Sequence, residues 1–352
     1  MVTFVRAASL TNFSELFSEL GGDPNAALRR AGLRPSVISE PDQMIDVLVA
    51  GRILEDAAAF TGCENFGLRM AKARQFSQFG VISLLLLHQP TLRKMLNTLI
   101  EHAHLLNESL LIHLEESNGV VVLREEFALQ ESFVQSMELA IGAMFRACDL
   151  LLNARWRPMR VCFSHPAPKD VRLHKQMFRC RVEFDAPFNG IVFRTEDLDA
   201  INPLADPILA RYAATMVDLT HPGHHVSTSQ RVRKAIYLML PSKNATSICV
   251  AQGLGRSVRT LQRELDAEGQ SFTNLLTQVR SDLAGRYVRN PEYSVGQMAS
   301  MLGYSSHSAF TRWFNTLFGC SPEAWREKNL SPNAPQKTIK RASDPPASAG
   351  PV

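Results

Sequence analysis

Apolar positions recur at helical spacing through the first hundred residues. Phe13, Leu16, Phe17 and Leu20 share one face, and Gly21-Gly22 ends that run. Asp23-Pro24 opens the next segment, with Pro24 suited to a first helical position. Ile45, Leu48, Val49, Ile53 and Leu54 mark a further helix, and Val81–Leu87 (VISLLLL) reads as a short buried one. Thr91 caps a long helix whose stripe is Leu92, Met95, Leu96, Leu99, Ala103 and Leu106. That stripe serves either the core or a dimer contact. At Ser109 the pattern changes. Residues 110–114 and 120–123 flank Ser117-Asn118-Gly119, a hairpin with Asn-Gly at its turn. A helix is expected over 130–153, a strand over 159–164, a helix over 169–179, strands over 181–184 and 191–193, and a helix over 206–219. This order predicts an α+β domain, helices plus antiparallel sheet, across residues 1–219.

Residues 220–228, rich in Pro, Gly and polar side chains, read as a linker. Residues 331–352, rich in Pro, Ser, Ala and Lys, read as a disordered tail. Between them lies an all-α module, 229–330, that repeats itself. Ala251-x-x-Leu254-Gly255 followed by Leu261-Gln262-Arg263-Glu264-Leu265 returns as Ala299-x-x-Leu302-Gly303 followed by Phe310-Thr311-Arg312-Trp313-Phe314, with a turn one residue longer. Each copy fits a helix-turn-helix, at about 246–267 and 294–318. Ala251 and Ala299 let two helices approach closely. Gly255 and Gly303 permit the left-handed backbone that ends the first helix. Ser257 caps the second helix of the first copy, and Ser305 or Ser306 that of the second.

Opposite the apolar faces lie side chains suited to base edges. These are Ser257, Arg259, Gln262 and Arg263 in the first copy, and Ser306, His307, Ser308, Thr311 and Arg312 in the second. Arg bonds two guanine acceptors, Gln bonds adenine, and Thr offers hydroxyl and methyl. Between the copies, Ser271 caps a helix bearing Phe272, Leu275, Leu276, Val279, Leu283 and Tyr287, and Pro291 stops it. Roughly 18 residues span ~27 Å, enough to hold two reading helices about one DNA turn, ~34 Å, apart.

Charge sharpens the division. Residues 228–330 carry 13 Lys and Arg against 7 Asp and Glu, whereas residues 1–227 carry 22 against 26. A basic module joined to an acidic one points to a polyanion partner, double-stranded DNA. No apolar run approaches the ~18 residues of a membrane span, and the N-terminus lacks a secretory pattern, so a cytoplasmic protein is expected. The six cysteines are scattered, which fits free thiols. P-loop, Rossmann and nucleophile-elbow motifs are missing from the sequence, and neither an enzyme nor a cofactor is expected. His221, His224 and His225 lack acidic or Cys partners for a metal. His102, His104 and His113 read as solvated or locally satisfied rather than as a sensor pocket. Trp156-Arg157 reads as a structural anchor. Glu115-Glu116 and Glu125-Glu126 read as charged strand ends in water rather than acid/base pairs.

Residues 294–326, SVGQMASMLGYSSHSAFTRWFNTLFGCSPEAWR, resemble the signature of the AraC/XylS regulators. Ala299, Leu302-Gly303-Tyr304, Phe310-x-Arg312-x-Phe314, Phe318-Gly319, Ser321-Pro322 and Trp325-Arg326 carry the match, and SVRTLQRELDAEGQSFTNLLTQVR resembles the first unit. Asn315 departs from the Lys or Arg often found there, removing one phosphate contact. From about 20 to 215 the chain is similar to the arabinose-binding-like sensor domain of a subgroup, through GGDPNAALRRAGL, FGLRMA, SLLLLHQPTLRKML, WRPMRVCFSHPAP and CRVEFDAPFNGIVF. Its helical start departs from the β-barrel sensor of the namesake, and the label implies no arabinose ligand. The resemblance implies a transcription activator that senses a small-molecule effector. It also implies contact with RNA polymerase, association with the nucleoid when bound to DNA, and a homodimer as an option.

Overall fold

Phe4–Arg6 (β1) pairs antiparallel with Met44–Asp46 (β2). The sequence pattern missed this ribbon, because three residues are too few for alternation to show and the partners are far apart in the chain. Ile45 therefore belongs to β2, and the helix expected there starts at Val47. The computed structural model describes residues 3–129, 131–152, 154, 156–220, 227–240, 243–254, 256–289 and 293–330. They divide into two compact units, Met1–His224 and His225–Val352.

The first unit begins with helices α1 (Phe13–Glu19), α2 (Pro24–Arg30), α3 (Val47–Thr61), α4 (Phe66–Ala73), α5 (Val81–Leu87) and α6 (Leu92–Leu106). Local chemistry sets their starts. The Asp23 carboxylate accepts from the Ala26 N–H at 3.0 Å, and the Thr91 hydroxyl from the Lys94 N–H at 3.2 Å. The α6 stripe is core: Leu92, Met95, Leu96, Leu99 and Ala103 are all buried. His102 meets the carbonyl of Thr98 within its own helix at 2.8 Å.

Asn118 and Gly119, both at positive φ, turn β3 (Leu110–Ser117) into β4 (Val120–Phe127). α7 (Val134–Leu151) follows, starting and ending inside the range expected for it. Then come β5 (Arg160–Cys162), α8 (Arg172–Phe178), β6 (Arg181–Glu183), β7 (Gly190–Arg194), α9 (Thr195–Leu198) and α10 (Pro207–Thr220). The five-stranded sheet has the order β3-β4-β7-β5-β6. All its pairs are antiparallel except β5–β6, which α8 joins as a crossover. Parallel neighbours need such a connection. α7 crosses α4 closely, with Gly142 against Ala71 and Gly67 against the Gln135 backbone, where a Cβ would collide. Trp156 anchors this side, stacking on Phe145 at 5.5 Å and donating to Asp197 at 3.0 Å.

β4 corrects one expectation. Its burial alternates, with Val121, Leu123, Glu125 and Phe127 inward, so Glu125 is a buried carboxyl and not a solvated strand end. Its neighbour Glu126 is half-buried, while Glu115 pairs with Arg124 and Glu116 with Arg93.

The second unit is all helical: α11 (Thr228–Met239), α12 (Ser247–Gly253), α13 (Val258–Ala267), α14 (Phe272–Tyr287), α15 (Val295–Met301), α16 (His307–Phe318) and α17 (Pro322–Leu330). One apolar core joins them, from Val232 and Ile236 through Leu261 and Leu283 to Phe310 and Trp325. Between Thr220 of α10 and Ser227, which caps α11, residues 221–226 lie outside the described residues, and with them His221, His224 and His225. Gly255, Pro291 and residues 331–352 lie outside them too. No helix among the described residues is long and apolar enough to cross a membrane.

Candidate nucleic-acid interface

α12 and α13 form the first helix-turn-helix, α15 and α16 the second. Ala251 and Ala299 are buried where the helices meet. Gly303 takes φ +70°, and a Cβ there would stand 2.8 Å from the Leu240 carbonyl oxygen. This glycine thus ends α15 and also admits the end of α11. Both reading helices begin on a serine. Ser257 Oγ accepts from the Thr260 N–H at 3.1 Å, and Ser306 Oγ from the Ala309 N–H at 3.2 Å. Of the two serines that the sequence left open, Ser306 makes the cap. The N-terminal turns of α13 and α16 carry the positive end of the helix dipole, the end that meets phosphates.

On α13, Leu261 and Leu265 are buried while Arg259, Gln262 and Arg263 are exposed. Arg256 lies beside Glu264 at 3.4 Å, but Arg259 and Arg263 make no ion pair among the described residues. On α16, Phe310 and Phe314 are buried while His307, Ser308 and Arg312 are exposed. Arg312 too has no ion pair among the described residues. Thr311 is half-buried, and its Oγ1 is shielded without a hydrogen-bond partner. The fold therefore withdraws the Thr311 hydroxyl from the exposed face, leaving Arg312 as its charged member.

α14 runs 16 residues, shorter than the sequence suggested, and so spans about 24 Å. Arg280, on α14, donates to the Leu302 carbonyl at 3.1 Å and lies 4.5 Å over the Tyr304 ring. Burial pushes the Tyr304 phenol up to about 12, against the pull of Arg280. Arg326 donates to the carbonyls of Val288 at 2.9 Å and Tyr293 at 2.6 Å. At the other end, Glu268 accepts from the N–H groups of Thr228 and Ser229, at 2.7 and 2.8 Å, and so caps α11. Sequence reasoning missed these braces. An arginine spent on backbone carbonyls looks, in sequence, like one kept for phosphate.

Residues 250–328 match a helix-turn-helix domain model, and residues 21–201 match the arabinose-binding N-terminal domain of AraC transcription regulators. The second match alone spans more than half the chain. The chain belongs to the AraC family of transcription regulators.

Two relatives in this family align along nearly the whole length. The HTH-type transcriptional regulator VirS of Mycobacterium tuberculosis is 27% identical over 330 residues, covering 92% of this chain and 96% of the relative. The Ornithine utilization regulator of Pseudomonas aeruginosa is 24% identical over 317 residues, covering 89% and 93%. A crystal structure of the transcriptional regulator CdpR from Pseudomonas aeruginosa superposes with a TM-score of 0.40 at 21% identity, covering 86% of this chain and 96% of that one. An AraC-family chain with a helix-turn-helix domain is a DNA-binding transcription regulator, and the basic surface of its second unit is suited to that task.

Proposed function

We propose that this regulator activates transcription by reading two adjacent major grooves, under control of a small molecule sensed by the N-terminal unit. In this reading α13 addresses one groove through Ser257, Arg259, Gln262 and Arg263. α16 addresses the next through Ser306, His307, Ser308 and Arg312, the Thr311 hydroxyl being turned away from this face. The observation that carries it is the set of exposed arginines without ion pairs on two helices that each begin with a serine cap. Such side chains cost little to expose and gain by displacing counterions from DNA. Residues 220–228 link the two units, and the effector acts by shifting their arrangement. RNA polymerase is the partner through which bound protein activates, and a homodimer is compatible with the reading.

Footprinting with the full-length protein, on DNA recovered by random-site selection, tests this. The expected result is protection of two major grooves about one turn apart, weakened steeply by salt. Failure to enrich any site at low salt overturns it.

A further inference from the structure

We propose that the N-terminal unit binds a small apolar monocarboxylate, with Arg74 taking the carboxylate and a cavity bounded by α3, α6, α7 and the β3–β4 hairpin taking the hydrocarbon. The proposal rests on the sensor reading above and names the chemistry of its ligand.

The cavity measures about 120 Å³. An engineered cavity of roughly 150 Å³ takes up benzene, so six or so carbon atoms fill a space of this order. Its wall is mainly aliphatic and aromatic, with Leu54, Leu99, Ala103, Phe127, Leu139 and Met144 facing in. A sugar would need a donor or acceptor at each hydroxyl. The wall offers few, and Asn107 already spends its Oδ1 on the N–H groups of Ser109 and Leu110 and the Ser109 hydroxyl.

One pole of the cavity is cationic. Arg6 and Arg74 both line it. Arg6 is buried and pairs with Asp42, and its Nη1 donates to the Gln78 carbonyl at 3.2 Å. Arg74 donates through Nη2 to the carbonyls of Ala8 at 2.6 Å and Ser9 at 3.0 Å, and it meets no carboxylate among the described residues. Its Nε is shielded from solvent and has no partner among the described residues. Burial, with Arg6 adding repulsion, lowers the guanidinium to about 10, so it stays charged at neutral pH. Asp42 thus neutralises Arg6 alone, and the Arg74 charge is left over with its Nε shielded. Such a charge is costly unless an anion meets it. Gly80, at φ +72°, leaves the room Arg6 occupies, since a Cβ there would collide with the guanidinium.

Glu125, also lining the cavity, does not supply that anion. It is 1% exposed, with Oε1 unpartnered. Burial alone pushes its carboxyl up to about 8, with no pull from an arginine. It makes no ion pair with Arg6 or Arg74 among the described residues, and with its carboxyl so raised it is mainly protonated at neutral pH.

Calorimetric titration of the full-length protein with hexanoate, hexanol and hexylamine tests the inference, with Arg74→Met and Ala103→Leu variants alongside. Hexanoate is expected to bind roughly 10- to 100-fold more tightly than hexanol, and hexylamine not at all. Affinity should grow about fourfold per methylene from butanoate upward, then level off once the cavity is full. Arg74→Met should lose the preference for hexanoate over hexanol; removal of an uncompensated charge offsets the lost donor to the Ala8 and Ser9 carbonyls, and retained hexanol binding shows that the variant is folded. Ala103→Leu should weaken both ligands by filling the cavity. No binding by any carboxylate of the series, or equal hexanoate binding by Arg74→Met, overturns the proposal.

Gel-shift titrations with and without hexanoate separate the two readings. Hexanol binding as tightly as hexanoate and shifting DNA affinity removes the carboxylate assignment and leaves the sensor reading. Hexanoate binding with DNA affinity unchanged establishes the site and removes the sensor reading.

Discussion

In the first helix-turn-helix, the reading helix exposes two arginines and a glutamine over a pair of buried leucines. In the second, it exposes one arginine over a cluster of aromatic rings: Phe310 meets Phe314 edge-on at 5.6 Å, Phe314 stacks on Phe318 at 4.2 Å, and Tyr304 leans on Phe310 and Trp313. The second copy is also tied to its surroundings by Arg280, Arg326 and the close approach of Gly303 to Leu240. One repeat pattern thus supports two divisions of labour. In the first copy the positive charge faces outward, on the surface proposed to meet DNA. Beside the second copy, Arg280 of α14 and Arg326 of α17 are spent inward, on carbonyls that would otherwise be unsatisfied. An arginine count that included the helices flanking the second copy would therefore overstate that region's share of DNA affinity.

The largest test is of the aromatic brace. Phe314→Ala should cost about 3–5 kcal/mol of stability through the cavity it leaves, measured by denaturant unfolding of the full-length protein. A loss under about 1 kcal/mol would mean the ring cluster is not the support assigned here. Next, Arg326→Ala should cost about 2–3 kcal/mol, because the Val288 and Tyr293 carbonyls lose their donor. It should lower Tm more than Arg263→Ala, which touches no such group. Equal melting curves would break the inward–outward distinction.

DNA binding sharpens the comparison in the other direction. Arg259→Ala and Arg263→Ala should each weaken specific binding by about 1–3 kcal/mol with Tm unchanged, and where the arginine meets a phosphate the salt slope should fall by about one. Arg312→Ala should cost about 1–3 kcal/mol and relax selectivity at one base position. Unchanged selectivity in competition gel shifts removes Arg312 from base readout. The smallest effect should be common to both copies. Ser257→Ala and Ser306→Ala should each cost about 1 kcal/mol through the missing caps, and a large difference between them in thermal melts would show that one serine does more than cap.

Much of this was legible before any tertiary structure was known. The Asn118-Gly119 turn, the Asp23 and Thr91 caps, the α6 stripe and the small residues Ala251 and Ala299 depend on neighbours a few residues away, and the chain states them directly. Glu125 was legible too, by parity: positions 121, 123, 125 and 127 share one strand face, and three of the four are apolar. It was missed because a Glu-Glu pair suggests water more strongly than parity suggests burial. The β1–β2 ribbon, the parallel β5–β6 pair and the cap by Ser306 in place of Ser305 were not legible, since each turns on a partner or a backbone angle supplied by the fold.

By itself the sequence determined that there are two units, that the second carries two helix-turn-helix repeats, and which residues lie opposite the apolar faces of their second helices. Periodicity, caps and charge balance are local quantities, and the chain carries them whether folded or not. Only the tertiary structure decided which arginines are free and which are consumed, that Thr311 turns its hydroxyl inward, and that Arg74 and Glu125 line one apolar cavity. Those outcomes rest on burial and on pairing between distant residues, and neither exists until the chain has closed on itself.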